Sequence, residues 1–151
     1  MKKTILIFII WFVPSIKAQN RSYYGWIYEG EGVAISFCIK IQNNQLVDTL
    51  YLIHSLEHNI ELPLPGKISD WKNEFQKHNP FKIKIVHIKK SDDNYEFTTD
   101  QYYFDENSWI SFSFNGRIKH DGIKGTLVQK QCNKLYSKNI YVEKYEVKLT
   151  Q

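Results

Sequence analysis

Cysteine is scarce in this sequence: Cys38 and Cys132 are the only two. That excludes a disulfide-dense knot. Seven glycines and four prolines, with no periodic glycine, exclude a collagen-like repeat. A hydrophobic content of 42%, with no low-complexity stretch, excludes a disordered tail. No apolar run reaches the roughly 20 residues a membrane-spanning helix needs. The chain carries no G-x-S-x-G nucleophile signature and no glycine loop of the kind that cradles phosphate. Charge of one sign is also missing. The formal +4 comes from an N-terminal segment, residues 1–18, that holds Lys2, Lys3 and Lys17 and no acid. Without it 17 Lys and Arg face 16 Asp and Glu, a net +1. No basic field is left to attract nucleic acid or anionic lipid.

What is present is one domain's length of chain, 151 residues, with enough apolar content for a core. Residues 1–18 read as a secretory signal peptide. Lys2 and Lys3 form its positive start, Thr4 to Val13 its apolar run, and Pro14 breaks that run. Cleavage is expected after Ala18, leaving residues 19–151 as a single exported domain, periplasmic or secreted, with no transmembrane segment. Export permits a disulfide between Cys38 and Cys132, closing a loop of about 94 residues. The chain-entropy account gives such a loop roughly 4 to 5 kcal/mol. The alternative is two unpaired thiols.

Period two dominates the exported part. Val33–Ile41 alternates Val33, Ile35, Phe37, Ile39 and Ile41 against Ala34, Ser36, Cys38 and Lys40, the pattern of a half-buried strand. Asn43-Asn44 then tolerates the positive φ of a tight hairpin. A two-residue turn there pairs Gln42 with Gln45, sets Phe37 against Leu50 and Ile35 against Leu52, and leaves Asp48 as a misfit on the apolar face. A second hairpin is expected through the tip Ser55–Asn59, returning as Ile60-Glu61-Leu62 and ended by Pro63, Pro65 and Gly66. Ile68, Trp71 and Phe75 switch to helical spacing, which predicts one short insertion over 69–78 capped by Ser69 or Asp70. Phe81–Lys90 alternates and then slips near Val86–His87, as a bulge would make it. Tyr95–Thr99, Ser108–Asn115 and Asn139–Leu149 are further strands. Asp121-Gly122 is a turn that would face Gly116 with Leu127 and Ile118 with Gly125. The last strand places Tyr141, Tyr145, Val147 and Leu149 on one face. The fold class is all-β: a single antiparallel barrel of about eight strands with one helical insertion, or alternatively a β-sandwich.

The string Phe112-Ser113-Phe114-Asn115-Gly116-Arg117-Ile118, with Asp121 and Ile123-Lys124-Gly125-Thr126-Leu127, resembles the F-x-G-x-I…D-x-I-x-G-T pattern of small secreted lipocalin/avidin-like barrels. Tyr24–Gly30 is similar to their first strand. The resemblance implies a barrel of that kind and ligand binding, without fixing a function.

Candidate chemistry is sparse. His54-Ser55-Leu56-Glu57-His58 matches H-x-x-E-H, in which two histidines one helical turn apart hold zinc and the glutamate acts as base. That chemistry needs a helix, and the strand before it and the prolines after it read as a solvated turn instead. Asp92-Asp93-Asn94 with Glu96 offers oxygen ligands without the spacing of a calcium loop. No cofactor or catalytic residue is assigned. Ser91–Asn107 carries six acids and no base, and residues 117–148 carry eight bases and three acids. This is either a partner surface or neighbouring strands of opposite charge. Trp26, Tyr28, Tyr102, Tyr103 and Trp109 are candidates to line a barrel mouth around a small, partly apolar ligand, unless they are ordinary strand composition. Two functions follow: an exported binding barrel, or a protein-interaction or inhibitor-type envelope module. A zinc-dependent hydrolase is a remote third.

Overall fold

The computed structural model describes residues 20–29, 31–64, 70–119, 122–135 and 139–149. The expected leader and its expected cleavage point after Ala18, Gly30, Pro65, Gly66, Ile68, Ser69, and the pair His120-Asp121 lie outside the described residues. So do the side chains of Ile118 and Leu149.

Ten strands and two short helices follow in order: β1 (Arg21–Glu29), β2 (Gly32–Gln42), β3 (Gln45–Leu46), β4 (Thr49–His54), α1 (Ser55–His58), α2 (Trp71–Lys77), β5 (Phe81–Ser91), β6 (Asn94–Thr99), β7 (Tyr102–Tyr103), β8 (Ser108–Lys119), β9 (Gly122–Asn133) and β10 (Tyr141–Leu149). Eight of them run β1-β2-β4-β5-β6-β8-β9-β10, with β3 on β2 and β7 on β8. Every neighbour is antiparallel, and β10 returns beside β1. The molecule is a nearly closed eight-stranded barrel, not a sandwich.

Alternation fills the inside. Phe37, Ile39, Leu50, Leu52, Ile83, Ile110 and Leu127 are each at most 1% exposed and belong to one cluster of 20 buried side chains. An eight-stranded barrel is just wide enough for its side chains to fill. Phe97 and Phe114, opposite each other on β6 and β8, stack at 5.2 Å. Two glycines make this packing possible. A Cβ on Gly25 would lie 2.4 Å from the Phe37 ring, and one on Gly125 would lie 2.3 Å from the Asn115 carbonyl oxygen.

Turn chemistry sets the register. Asn43 and Asn44 both take positive φ, and Gln42 pairs with Gln45 as the hairpin requires. The next pairs differ from expectation: Phe37 faces Leu52 and Ile35 faces His54. Val47 and Asp48 bulge out of the ladder. The Val47 N–H donates to the Lys40 carbonyl, and the Asp48 carbonyl accepts from Ile85, both at 2.8 Å. Two extra residues preserve the parity of the strand, so the apolar face survives and Asp48 moves to the surface. The slip in β5 lies between Ile85 and His87, at Val86. Lys119 pairs with Gly122, so Gly116 faces Gly125 and Ile118 faces Ile123. The pairing expected from an Asp121-Gly122 turn, Gly116 with Leu127 and Ile118 with Gly125, is therefore off by two residues.

A second layer explains why β2 is not half-buried. Its outward Ser36 and Cys38 are buried too, and past the register shift at Ile27/Tyr28 Val33 joins this outer layer while Ala34 packs inside. Leu62 bridges to Val33, so the chain after β4 crosses to β2 and does not return as a hairpin. Together with α2 it covers Tyr24, Cys38 and Ile53 on the outside of the barrel. Phe75 of α2 meets Tyr24 edge-on at 5.7 Å, and Trp71 lies 4.9 Å from Trp26. Asp70 caps the helix, accepting from the Asn73 N–H at 3.1 Å. In β10 Val147 is buried, Tyr145 is half-buried and Tyr141 is exposed, so the expected single apolar face holds only toward its end. No helix among the described residues is long and apolar enough to cross a membrane.

Candidate functional site

One register row runs across the outer surface through four strands. Tyr24 of β1 faces Cys38 of β2, Cys38 faces Tyr51 of β4, and Tyr51 faces Lys82 of β5. The end of α2 roofs this row with Phe75, Gln76 and the following Asn79. The space between is a crevice of about 350 Å³, the size of a small-molecule site. Three lysines border it: Lys40, Lys72 and Lys82. The Lys40 ammonium sits 4.2 Å from the centre of the Tyr51 ring, a cation–π contact that holds it over the floor. No carboxylate lines the crevice among the described residues. Of the acids nearest in sequence, Glu74 is held by His78 at 2.8 Å, and Asp70 spends its oxygens on the Asn73 backbone and amide.

The floor is polar but uncharged. Burial, then the neighbouring Cys38, pushes the Tyr24 phenol up to about 12. Burial likewise pushes the Cys38 thiol up to about 11, against the opposing pull of Lys40. Both groups stay protonated at neutral pH, so they bring no negative charge against an occupant and can donate to it. A neutral floor under three ammonium groups, walled by Phe75 and Tyr51, suits an anion with an apolar body.

The aromatic residues singled out by sequence do not converge. Trp26 pairs with Trp71 on the outer surface, and Tyr28 and Tyr103 are exposed. Trp109 is buried on the outer side of β8, opposite Cys132. Tyr102 alone joins a cluster at one end of the barrel, 4.9 Å from Phe81 and 5.5 Å from Phe104. His54 and His58 pack onto that cluster, against Phe104 at 6.0 Å and Phe81 at 4.3 Å.

The H-x-x-E-H segment is one turn of helix, α1, and not the open tip its neighbours suggest. His58 turns its Nδ1 back to the His54 backbone, 3.2 Å from the nitrogen and 3.0 Å from the oxygen. Among the described residues no three His, Cys, Asp or Glu side chains group so as to hold a metal. Burial lowers the His54 pKa; Glu57 and Glu29 oppose that and His58 adds to it.

Cys38 and Cys132 are both buried and unpaired, so the expected disulfide does not form. They lie on β2 and β9, three strand steps apart through β1 and β10. That is about 14 Å of sheet, twice what a disulfide spans. Of the acidic segment, Glu96 of β6 meets Lys89 of the neighbouring β5 at 3.9 Å. Asp92 and Asp93 form the β5–β6 turn, with Asp92 at positive φ.

Sequence reading missed Tyr24, Cys38, Tyr51 and the three lysines as a group. The available signal was the helix itself. Trp71 and Phe75 need a face to dock on, and the small outward residues of β2 provide it. The chain matches no family model, no curated protein and no solved structure.

Proposed function

We propose that this protein binds a small organic anion with an aromatic or otherwise apolar body, and that it does so on the outside of its barrel. The observation that carries this reading is the convergence of Lys40, Lys72 and Lys82 over the neutral row Tyr24–Cys38–Tyr51. The filled interior supports the same placement, since Phe37, Leu52 and Leu127 occupy the space a lipocalin-type ligand would take. The apolar leader at residues 1–18 fits a binding protein that works outside the cytoplasm.

Calorimetry with a panel of aromatic carboxylates and their neutral amides tests it. The carboxylates bind and the amides bind at least tenfold more weakly. Lys40→Met, which removes the half-buried ammonium, weakens binding about tenfold, the scale of a partly desolvated charged hydrogen bond. Lys72→Met and Lys82→Met, at exposed positions, weaken it a few-fold and remove part of its salt dependence. Equal affinity for carboxylates and amides, or full affinity in Lys40→Met, defeats the proposal.

A further inference from the structure

We propose that the groove between the start of β2 and the chain that follows α1 binds an extended basic peptide, one that alternates Lys or Arg with aliphatic residues. The groove holds about 870 Å³, more than twice the crevice, and shares no lining residue with it. Its floor is apolar. Val33 bridges to Leu62, and each is only 4% exposed. Around them Leu56 of α1 is 78% exposed and Leu64 38%. Its rim is acidic: Glu29, Glu31 and Glu61 line it and are exposed. Among the described residues no Lys, Arg or His pairs with any of the three, and no Lys or Arg lines the groove. Lys40 is the only Lys or Arg between residues 22 and 64. It stands seven residues beyond Val33 on β2, roughly 23 Å along the strand.

The chemistry of the occupant follows from what the groove leaves unmet. Three carboxylates without cations surround leucines without cover, so the complementary partner carries several positive charges and aliphatic side chains together. Gly32 makes that partner a chain. A glycine in a strand gives up stability, and it marks a place where a ligand or another backbone comes close. Neither a turn conformation nor packing inside the molecule accounts for this one. Its φ is not positive, and a Cβ there would meet nothing within 4 Å. Gly32 therefore leaves bare backbone in the groove wall, open to the backbone of a second chain. In an extended peptide successive side chains point to opposite sides. Alternation then sets the aliphatic ones on Leu62 and Leu64 and turns the cationic ones toward the glutamates. The crevice takes an anion and this groove a cation, so each stands or falls without the other.

Fluorescence anisotropy with a labelled hexapeptide alternating lysine and leucine, on the purified protein, tests the proposal. The peptide binds, its affinity falls as salt rises, and the same peptide with glutamine for lysine binds at least tenfold more weakly. Glu29→Gln and Glu61→Gln each weaken binding several-fold. Gly32→Tyr fills the groove without changing charge and weakens it tenfold or more. The glutamate variants, at exposed positions, keep the test open if Gly32→Tyr fails to fold. Asp92→Asn with Asp93→Asn removes two negative charges at the β5–β6 turn and leaves binding unchanged, as does Lys40→Met in the crevice. Absent binding, equal affinity for the glutamine peptide, or equal losses from the Asp92 and Asp93 changes overturns the proposal. Displacement of the peptide by hexylammonium at matching concentration also overturns it, because the groove would then take a small cation and not a chain.

Discussion

His54 ends β4 on the inward side, opposite Ile35, and its imidazole is mostly buried against Phe104. Burial favours its neutral form, so the folded pKa lies below the unfolded value of 6.5. The unfolded chain takes up a proton near pH 6.5 that the folded chain refuses, so stability falls as pH drops below that point. Urea midpoints should therefore decrease between pH 7 and pH 5, and His54→Gln should flatten that slope. Glu74 and Asp105 do not compete in this window. A hydrogen bond with His78 lowers the first and the Asn107 N–H lowers the second, so their contributions are full above the ordinary carboxylate values and fade as pH falls through and below them. The thiols make a separate prediction. Without reductant, the denatured protein should titrate two free thiols, whereas native Cys38, with its pKa near 11, should react orders of magnitude more slowly than an exposed thiol. Finding fewer than two thiols after denaturation would contradict the geometry of β2 and β9.

Among the elements, α2 has the most leverage, because seven residues hold both the outer layer and the roof of the crevice. Its Asp70 cap should be worth about 1 kcal/mol. Asp70→Ala should lower the melting temperature by several degrees and weaken binding in the crevice together; a change in one without the other would separate the helix from the site. The cap, the hairpin at Asn43-Asn44 and the bulge at Val86 were legible in sequence because each depends on residues adjacent in the chain. The ladder beyond Val47-Asp48 was not. A bulge of two residues leaves the alternation intact, so periodicity alone cannot detect it. The same holds for β8 against β9, where the register lies two residues from the one an Asp121-Gly122 turn sets and so preserves every face. The candidate site was least legible. Tyr24, Tyr51 and Lys82 are far apart in sequence and meet only through pairing, while Trp26 and Trp109, conspicuous as residues, serve opposite parts of the outer surface.

At the scale of the molecule, one barrel with one filled interior should unfold as a unit. Trp109 reports from β8, and Trp26 and Trp71 report from the β1–α2 side. A variant retaining Trp109 and another retaining the Trp26–Trp71 pair should show coincident urea transitions by fluorescence; separated midpoints would mean that the α2 layer peels off before the barrel opens. Long-range strand pairing also predicts folding in milliseconds to seconds, slower than a helical bundle of this length. The row Tyr24–Cys38–Tyr51–Lys82 carries a mechanical corollary. It crosses half of the barrel's circumference, so an occupant resting on it touches four strands at once and rivets them against sliding. Such a ligand would raise the force needed to pull β1 or β5 from the wall, turning chemical recognition at the surface into stiffness of the whole.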